Sequence, residues 1–282
     1  MMGSMAHPIT TDWNDFARMN ASQRWRKPSA IMGRAMTDII VAEANIVPHL
    51  RVLDVACGTG EPAISIATAM NGTGMVTATD ISADPLAIGE QRARERNLSN
   101  IRFRLADVHA LPFPDASFDR VTSRLGVMFF SDLPRALREI HRVLTPDGQA
   151  TLLAWGPMQQ PYFDLTIGTI LRMLPGTQVP PAAQSMFKFG TPGTLNNALR
   201  DAGFHSIDER LSKVAWNWPG TPEDFWQYFQ DVTAPFKPLL QSIPDSTREG
   251  ISTAVLCELR NLYDGQQILF DAHIVLASAR TR

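Results

Sequence analysis

No stretch limits the fold of this chain more than the one from Leu50 to Ala63, where an apolar run (Leu50, Val52, Leu53, Val55) meets Asp54, Cys57, Gly58, Thr59 and Gly60. The run reads as a buried parallel strand, and the glycine-containing segment after it as a turn into a helix. Gly58 and Gly60 suit a turn that needs positive φ or close approach of a ligand to the backbone. Pro62 suits the first helical turn, where its missing N–H costs nothing. Ile64, Ile66, Ala67 and Met70 then continue an apolar stripe at three-to-four spacing.

Gly58-Thr59-Gly60-Glu61-Pro62-Ala63 also satisfies the pattern G-x-G-x-x-G/A, so the turn alone leaves nicotinamide, flavin and other nucleoside ligands open. Asp54, four residues before Gly58, is what separates them. A dinucleotide would set an anionic pyrophosphate on the turn beside that carboxylate, whereas S-adenosylmethionine brings a sulfonium and an α-ammonium. The methyl donor is therefore the expected ligand. The competing reading makes Asp54 a carboxylate bonded to nearby backbone N–H groups.

Two further acids obey the same logic. Met75 to Thr79 reads as the next buried strand, ended by Asp80 twenty residues after Gly60, a position suited to a ribose diol. Ile81 would offer an apolar face to an adenine. Ile101 to Leu105 reads as a third strand, and Ala106-Asp107-Val108 brings another acceptor to the same edge. Asp80 and Asp107 can also be read as strand-end or helix-capping acids.

These stretches resemble the class I S-adenosylmethionine-dependent methyltransferases, and most closely their ubiquinone/menaquinone C-methyltransferase-like branch. The likeness is carried by Val52 to Gly60, Ala78 to Ser82, Leu105 to Val121 and Arg138 to Gly148, including Leu111-Pro112-Phe113-Pro114-Asp115 and Leu144-Thr145-Pro146-Asp147-Gly148. It spans about residues 45 to 156, with a looser likeness in the last strands. The resemblance implies S-adenosyl-L-methionine as cofactor, with contacts at Asp54, Ala56, Gly58, Gly60, Asp80, Ile81, Asp107 and Val108. At the exit of the fourth strand it implies contacts through the backbone of Arg124 and Leu125, with Met128, Phe129 and Phe130 as candidate walls of an acceptor pocket; plain helix–sheet packing is the competing and commoner use of such an apolar run.

Composition narrows the function classes. A formal net charge of −2 with dispersed basic residues lacks the footprint of a nucleic-acid binder. The two cysteines, Cys57 and Cys257, give no disulfide framework, and no Cys/His spacing suits zinc. Met1 to Met5 carry no apolar signal region and are set aside as a partial expression scar. No apolar run reaches the roughly 18 residues that span a bilayer. The expectation is a cytoplasmic protein, monomer or homodimer, acting on a small molecule without metal.

The rest of the chain predicts a doubly wound, mostly parallel seven-stranded sheet of Rossmann-like methyltransferase type with a helical cap. Residues 1–45, with Trp13, Phe16, Met19 and Trp25 and a helix over Ser29 to Asn45, form an N-terminal lid segment or pack outside the sheet. The cofactor-binding core covers 46–155, with a crossover helix over Pro85 to Arg96, a fourth strand over Phe118 to Ser123 and a fifth over Gln149 to Trp155. Ser131 and Asp132 cap the helix before that fifth strand. Residues 156–190 are an irregular insertion. The core continues over 191–219, with a helix over Pro192 to Ala202, a left-handed stop at Gly203 and a sixth strand over Ser206 to Trp218. Residues 220–265 form a helical insertion rich in aromatics, and the last strand, Ile268 to Ala279, lies within 266–282. Insertions after strands five and six reach the carboxyl edge of the sheet, so they read as a cap over an apolar cavity or as a dimer interface.

Transfer from a sulfonium is an in-line displacement in which positioning and water exclusion carry most of the work. His109 is the best-placed histidine for a base, but it also reads as a solvent-facing loop residue, and no base is assigned. Three functions therefore stand at this point: a methyltransferase acting on a small apolar or aromatic acceptor (phenol, quinone or similar), an NAD-dependent oxidoreductase on a similar sheet, and a non-catalytic nucleoside-binding protein.

Overall fold

The computed structural model describes residues 24–282. Its strands are β1 (Arg51–Val55), β2 (Met75–Asp80), β3 (Ile101–Leu105), β4 (Phe118–Arg124), β5 (Leu144–Trp155), β6 (His205–Ala215) and β7 (Asp271–Arg280). They form one seven-stranded sheet in the order β3-β2-β1-β4-β5-β7-β6. All neighbours from β3 to β5 pair parallel, while β7 runs antiparallel to both β5 and β6. The order reverses between β1 and β4, which opens a crevice at their carboxyl ends.

Burial explains the strands. Four of the five β1 residues are buried, as a central parallel strand covered on both faces requires. β6 alternates between exposed and half-buried positions, the signature of an edge strand with one wet face. Leu53, Val55, Val121, Leu152 and Leu153, all fully buried, join the larger apolar cluster, which continues into the insertions. Val52, Ile64, Ile66, Val76 and Ala78 build a smaller one under the helices Ala63–Ala69 and Ala83–Glu95. Each large side chain among them contributes roughly 1.5–3 kcal/mol by leaving water.

Several boundaries differ from the sequence expectation. The helix anticipated over Ser29 to Asn45 is two helices, Arg26–Met32 and Arg34–Glu43, joined at Gly33. Glycine at the joint has a tertiary reason: a Cβ there would lie 2.9 Å from Arg124 Nη1 and 3.2 Å from the Ser29 carbonyl oxygen. Pro62 sits just before the helix Ala63–Ala69 rather than inside it. The fifth strand, expected from Gln149, begins at Leu144, and Leu144 to Gly148 hold a bulge within β5, because Leu144 pairs with Phe118 and Gln149 already pairs with Arg120. β6 ends at Ala215, and β7 begins at Asp271 and ends at Arg280. Trp13, Phe16 and Met19, read as part of a lid, lie outside the described residues.

The stretch after β5 is broken into a turn of helix at Pro161–Phe163, a π-turn over Asp164–Gly168 and short helices at Thr169–Met173 and Pro181–Ser185. Between β6 and β7 stand the helices Pro222–Val232, Lys237–Gln241 and Asp245–Arg260. Phe225, Trp226, Phe229 and Phe236 are buried within the chain. That burial removes the reading of these four aromatics as an exposed subunit interface.

Candidate functional site

The exits of β1, β2, β3 and β4 open into one cavity of about 440 Å³. Its floor contains Ala56, Cys57, Gly58 and Thr59 after β1, Asp80 and Ile81 at the end of β2, Asp107 and Val108 after β3, and Arg124 and Leu125 at the end of β4. Its far wall is aromatic: Trp155 ends β5 and Tyr162 and Phe163 come after it, while Trp216 and Tyr228 come after β6. Trp25 closes the near side, its indole N–H donating to Asp231 Oδ2 at 2.7 Å on the helix Pro222–Val232. Met128, Phe129 and Phe130 also line the cavity, although Met128 and Phe130 are buried core residues as well.

The turn after β1 is held in an unusual shape. Ala56, Gly58 and Gly60 have φ of +56°, +53° and +104°, the left-handed side that glycine tolerates best. A Cβ on Gly58 would meet nothing within 4 Å, whereas one on Gly60 would press on Ile64 Cδ1 at 2.6 Å. Asp80 braces the turn, its Oδ2 accepting from Gly58 N at 2.9 Å and its Oδ1 from Ser82 N at 2.9 Å. Burial pushes the Asp80 carboxyl up, against the lowering effect of those two amides.

Asp54 is placed differently from the expectation that its charge faces the ligand. It is fully buried and does not line the cavity. One carboxylate oxygen accepts from Thr122 Oγ1 at 2.7 Å, and the other accepts from Ala63 N at 3.2 Å. The cause is register: Asp54 stands opposite Thr122 of β4, on a row beneath the turn. Its carboxylate therefore ties β4 to the start of the helix Ala63–Ala69, in line with the competing reading of a backbone-bonded acid. Burial pushes its pKa up to about 7, with the Thr122 and Ala63 bonds opposing.

Asp107 reaches the cavity but is shared. Its Oδ1 accepts from His109 N at 2.9 Å and pairs with His109 Nδ1 at 2.6 Å. Burial raises the Asp107 pKa and these bonds outweigh it, leaving a net lowering. His109 Nε2 in turn accepts from Asp132 N at 3.2 Å. With both ring nitrogens engaged, His109 clips the β3 exit to the cap of the helix Leu133–Val143 and has no nitrogen free to act as a base.

The family described as "Methyltransferase domain" matches residues 52–148, the stretch that builds this floor. A demethylmenaquinone methyltransferase from Geobacillus kaustophilus is 31% identical over 179 residues, which cover 60% of this chain and 76% of that protein. The chain belongs to the class I S-adenosylmethionine-dependent methyltransferases. A ubiquinone/menaquinone biosynthesis C-methyltransferase UbiE from Xanthomonas campestris is 38% identical over 131 residues, 46% of this methyltransferase and only about half, 52%, of the relative. The crystal structure titled [4+2]-cyclase SpnF superposes with TM-score 0.55 at 24% identity, covering 97% of this methyltransferase and 92% of that chain. At that identity the likeness is one of fold.

Sequence reading missed Arg92 in this methyltransferase and left Tyr228 undistinguished among the aromatics of the second insertion. Arg92, 6% exposed, donates to Glu61 Oε1 at 2.9 Å and to the Thr59 carbonyl, clamping the glycine turn from the helix Ala83–Glu95. Burial lowers the Arg92 pKa while Glu61 opposes the shift. Tyr228 is the residue of the helix Pro222–Val232 that stacks on Trp218, at 4.6 Å, and faces the cavity. Its helical spacing with Phe225 and Trp226 gave no means of telling cavity wall from core.

The residues present fit the cofactor of the family. The floor offers an acidic end at Asp80, an unfilled approach over Gly58, and a guanidinium at Arg124 whose Nε is buried without a partner. Among the described residues no group of three or more His, Cys, Asp or Glu side chains could hold a metal ion. No helix of the described residues is long and apolar enough to cross a membrane.

Proposed function

We propose that this methyltransferase transfers a methyl group from S-adenosylmethionine to a small acceptor of aromatic or alkyl character, of the phenol or quinone type. One observation carries the reading: a single cavity joins the carboxylate-bearing strand ends to a wall of Trp155, Tyr162, Trp216 and Tyr228. The demethylmenaquinone and UbiE relatives support a ring acceptor of this kind.

Bound S-adenosylmethionine supplies an electrophilic methyl on a sulfonium with a good leaving group. Asp80, already oriented by Gly58 N and Ser82 N, keeps acceptor capacity for a ribose diol, and Ile81, 45% exposed, offers its apolar face to the base. Asp107 and Val108 bound the adenine end, while Ala56, Gly58 and the backbone of Arg124 and Leu125 form the floor under the amino-acid end. Gly60, expected as a contact, stays out of the lining and shapes the turn against Ile64. The insertions 156–190 and 220–265, with Trp25, act as a cap that excludes water and orients the acceptor.

Among the described residues no cavity carboxylate is left as a free base: Glu61 is paired with Arg92, Asp107 with His109, and Asp80 with two amides. Burial keeps Tyr228 and Tyr162 protonated, so neither replaces a carboxylate. An acceptor that ionises on its own, a phenol or hydroquinone, fits such a wall better than an alcohol. The proposal includes a cytoplasmic setting as monomer or homodimer, which the free thiols of Cys57 and Cys257 support.

The test is a panel of phenols, hydroquinones, amines and aliphatic alcohols incubated with methyl-labelled donor. Label should pass to the acidic ring acceptors. Transfer to amines alone, or to nothing in a panel that includes long-chain hydroquinones, would remove the acceptor class.

A further inference from the structure

Arg124 ends β4 with its guanidinium inside the cavity and no acid to meet it. Its Nε is buried without a partner, and the hydrogen bond its guanidinium does make is a long one, from Nη1 to the Gly33 carbonyl at 3.4 Å. Among the described residues it forms no ion pair. The two acids that influence it are already committed: Glu61 to Arg92 and to Ser65, Asp54 to Thr122 and Ala63 N. Gly33 matters here, because any larger residue would press on Nη1 and close the space the guanidinium occupies.

A cation enclosed with this little compensation destabilises the ligand-free protein. Such an arrangement persists when something outside the chain supplies the anion. The position narrows the choice. Arg124 stands at the switch point beside the β1 turn, where Gly126 packs so tightly on Ala56 that a Cβ would come within 2.6 Å. That is the floor under the amino-acid end of the cofactor, whose α-carboxylate is the one anion the cofactor brings.

We infer that the Arg124 side chain, not only its backbone, is the receptor for the α-carboxylate of S-adenosylmethionine and of its demethylated product. The inference rests on the proposed function and adds a charge-paired anchor at the methionine end. A guanidinium presents a planar fork that matches a carboxylate bidentately. It balances Asp80 at the opposite end of the ligand, so the two charged residues together fix the direction in which the cofactor lies.

The experiment compares two ligands by calorimetry, S-adenosylhomocysteine and 5′-methylthioadenosine, the latter sharing the adenosine and thioether but lacking the amino acid. In Arg124→Met the affinity for S-adenosylhomocysteine should fall about tenfold to a hundredfold, as for loss of a hydrogen bond to a charged group. Methylthioadenosine affinity should stay within about twofold by the same reasoning. Arg124→Lys, which keeps charge and loses the fork, should fall between parent and Arg124→Met. The melting temperature of the ligand-free Arg124→Met protein should be unchanged or higher, since an unpaired buried charge has gone. Equal losses for both ligands, or a lower ligand-free melting temperature, would make Arg124 a structural residue and overturn the inference. Unchanged S-adenosylhomocysteine affinity would overturn it as well. Failure of the parent protein to bind either ligand would instead remove the cofactor reading on which it stands.

Discussion

Replacing Asp54 by Asn separates a structural role for this residue from an electrostatic one. Asp54 is wholly buried between Thr122 and Ala63 N, and burial pushes its pKa from the usual 3.8 to about 7. Between those values the folded chain holds a proton that the unfolded chain has released. Stability from this group is therefore complete below about pH 4, falls as pH rises, and is lost by about pH 7. About three pH units at roughly 1.4 kcal/mol each give an effect on the order of 4 kcal/mol. Asn keeps the shape, accepts from Ala63 N and donates to Thr122 Oγ1, and never ionises. Urea unfolding of parent and Asp54→Asn at pH 5 and pH 8 reads the effect as a difference of differences, so other titrating groups cancel. The variant should gain about 2–4 kcal/mol on the parent between the two pH values. A parent–variant gap that is the same at both pH values would refute the protonated, buried Asp54.

Three other outcomes are expected from the geometry. Asp80→Ala should weaken S-adenosylhomocysteine binding by about 1–3 kcal/mol in calorimetry, with Asp80→Glu milder; parental affinity would remove the ribose role. Gly60→Ala places a methyl 2.6 Å from Ile64 Cδ1 at a φ of +104°, so thermal unfolding should show a loss of about 1–3 kcal/mol, and an unchanged melting point would mean the turn yields freely. Tyr228→Ala should depress acceptor turnover while S-adenosylhomocysteine affinity stays near parental. Trp226→Ala, at a residue behind the wall that donates to Ser252 Oγ at 3.2 Å, should instead cost about 3–5 kcal/mol of stability, and the reverse pattern would exchange their roles.

The glycine turn and the strand-end acids were legible because each depends on local order: a strand period, a glycine at positive φ, an acid where the strand stops. Asp54 shows the limit of that logic. Four residues from Gly58, it looks adjacent to the turn, yet its row in the sheet, opposite Thr122 and Ala78, decides where the carboxylate goes. Arg92 was invisible because its partner Glu61 lies thirty-one residues away on another element. The need for glycine at position 33 comes from Arg124, ninety-one residues on, and no pattern within the helix contains it. The insertion aromatics were legible as apolar mass but not as wall or core, since both environments favour the same residues.

A dinucleotide remains disfavoured on charge even with Asp54 beneath the turn, and for a more specific reason. A glycine turn before a helix binds pyrophosphate through free amides at the helix N-terminus. Here those amides are already engaged by the chain's own acids: Gly58 N donates to Asp80, Ala63 N to Asp54, and Ser65 N to Glu61 at 3.3 Å. A pyrophosphate would find those donors already taken, and displacing any of the acids from them would strand a buried or half-buried group. Of these acids Asp80 and Glu61 line the cavity, beside Arg124, whose guanidinium forms no ion pair among the described residues. That pattern suits a ligand bearing a sulfonium, an ammonium and a single carboxylate, so it selects the methyl donor even on a fold that also serves other chemistries.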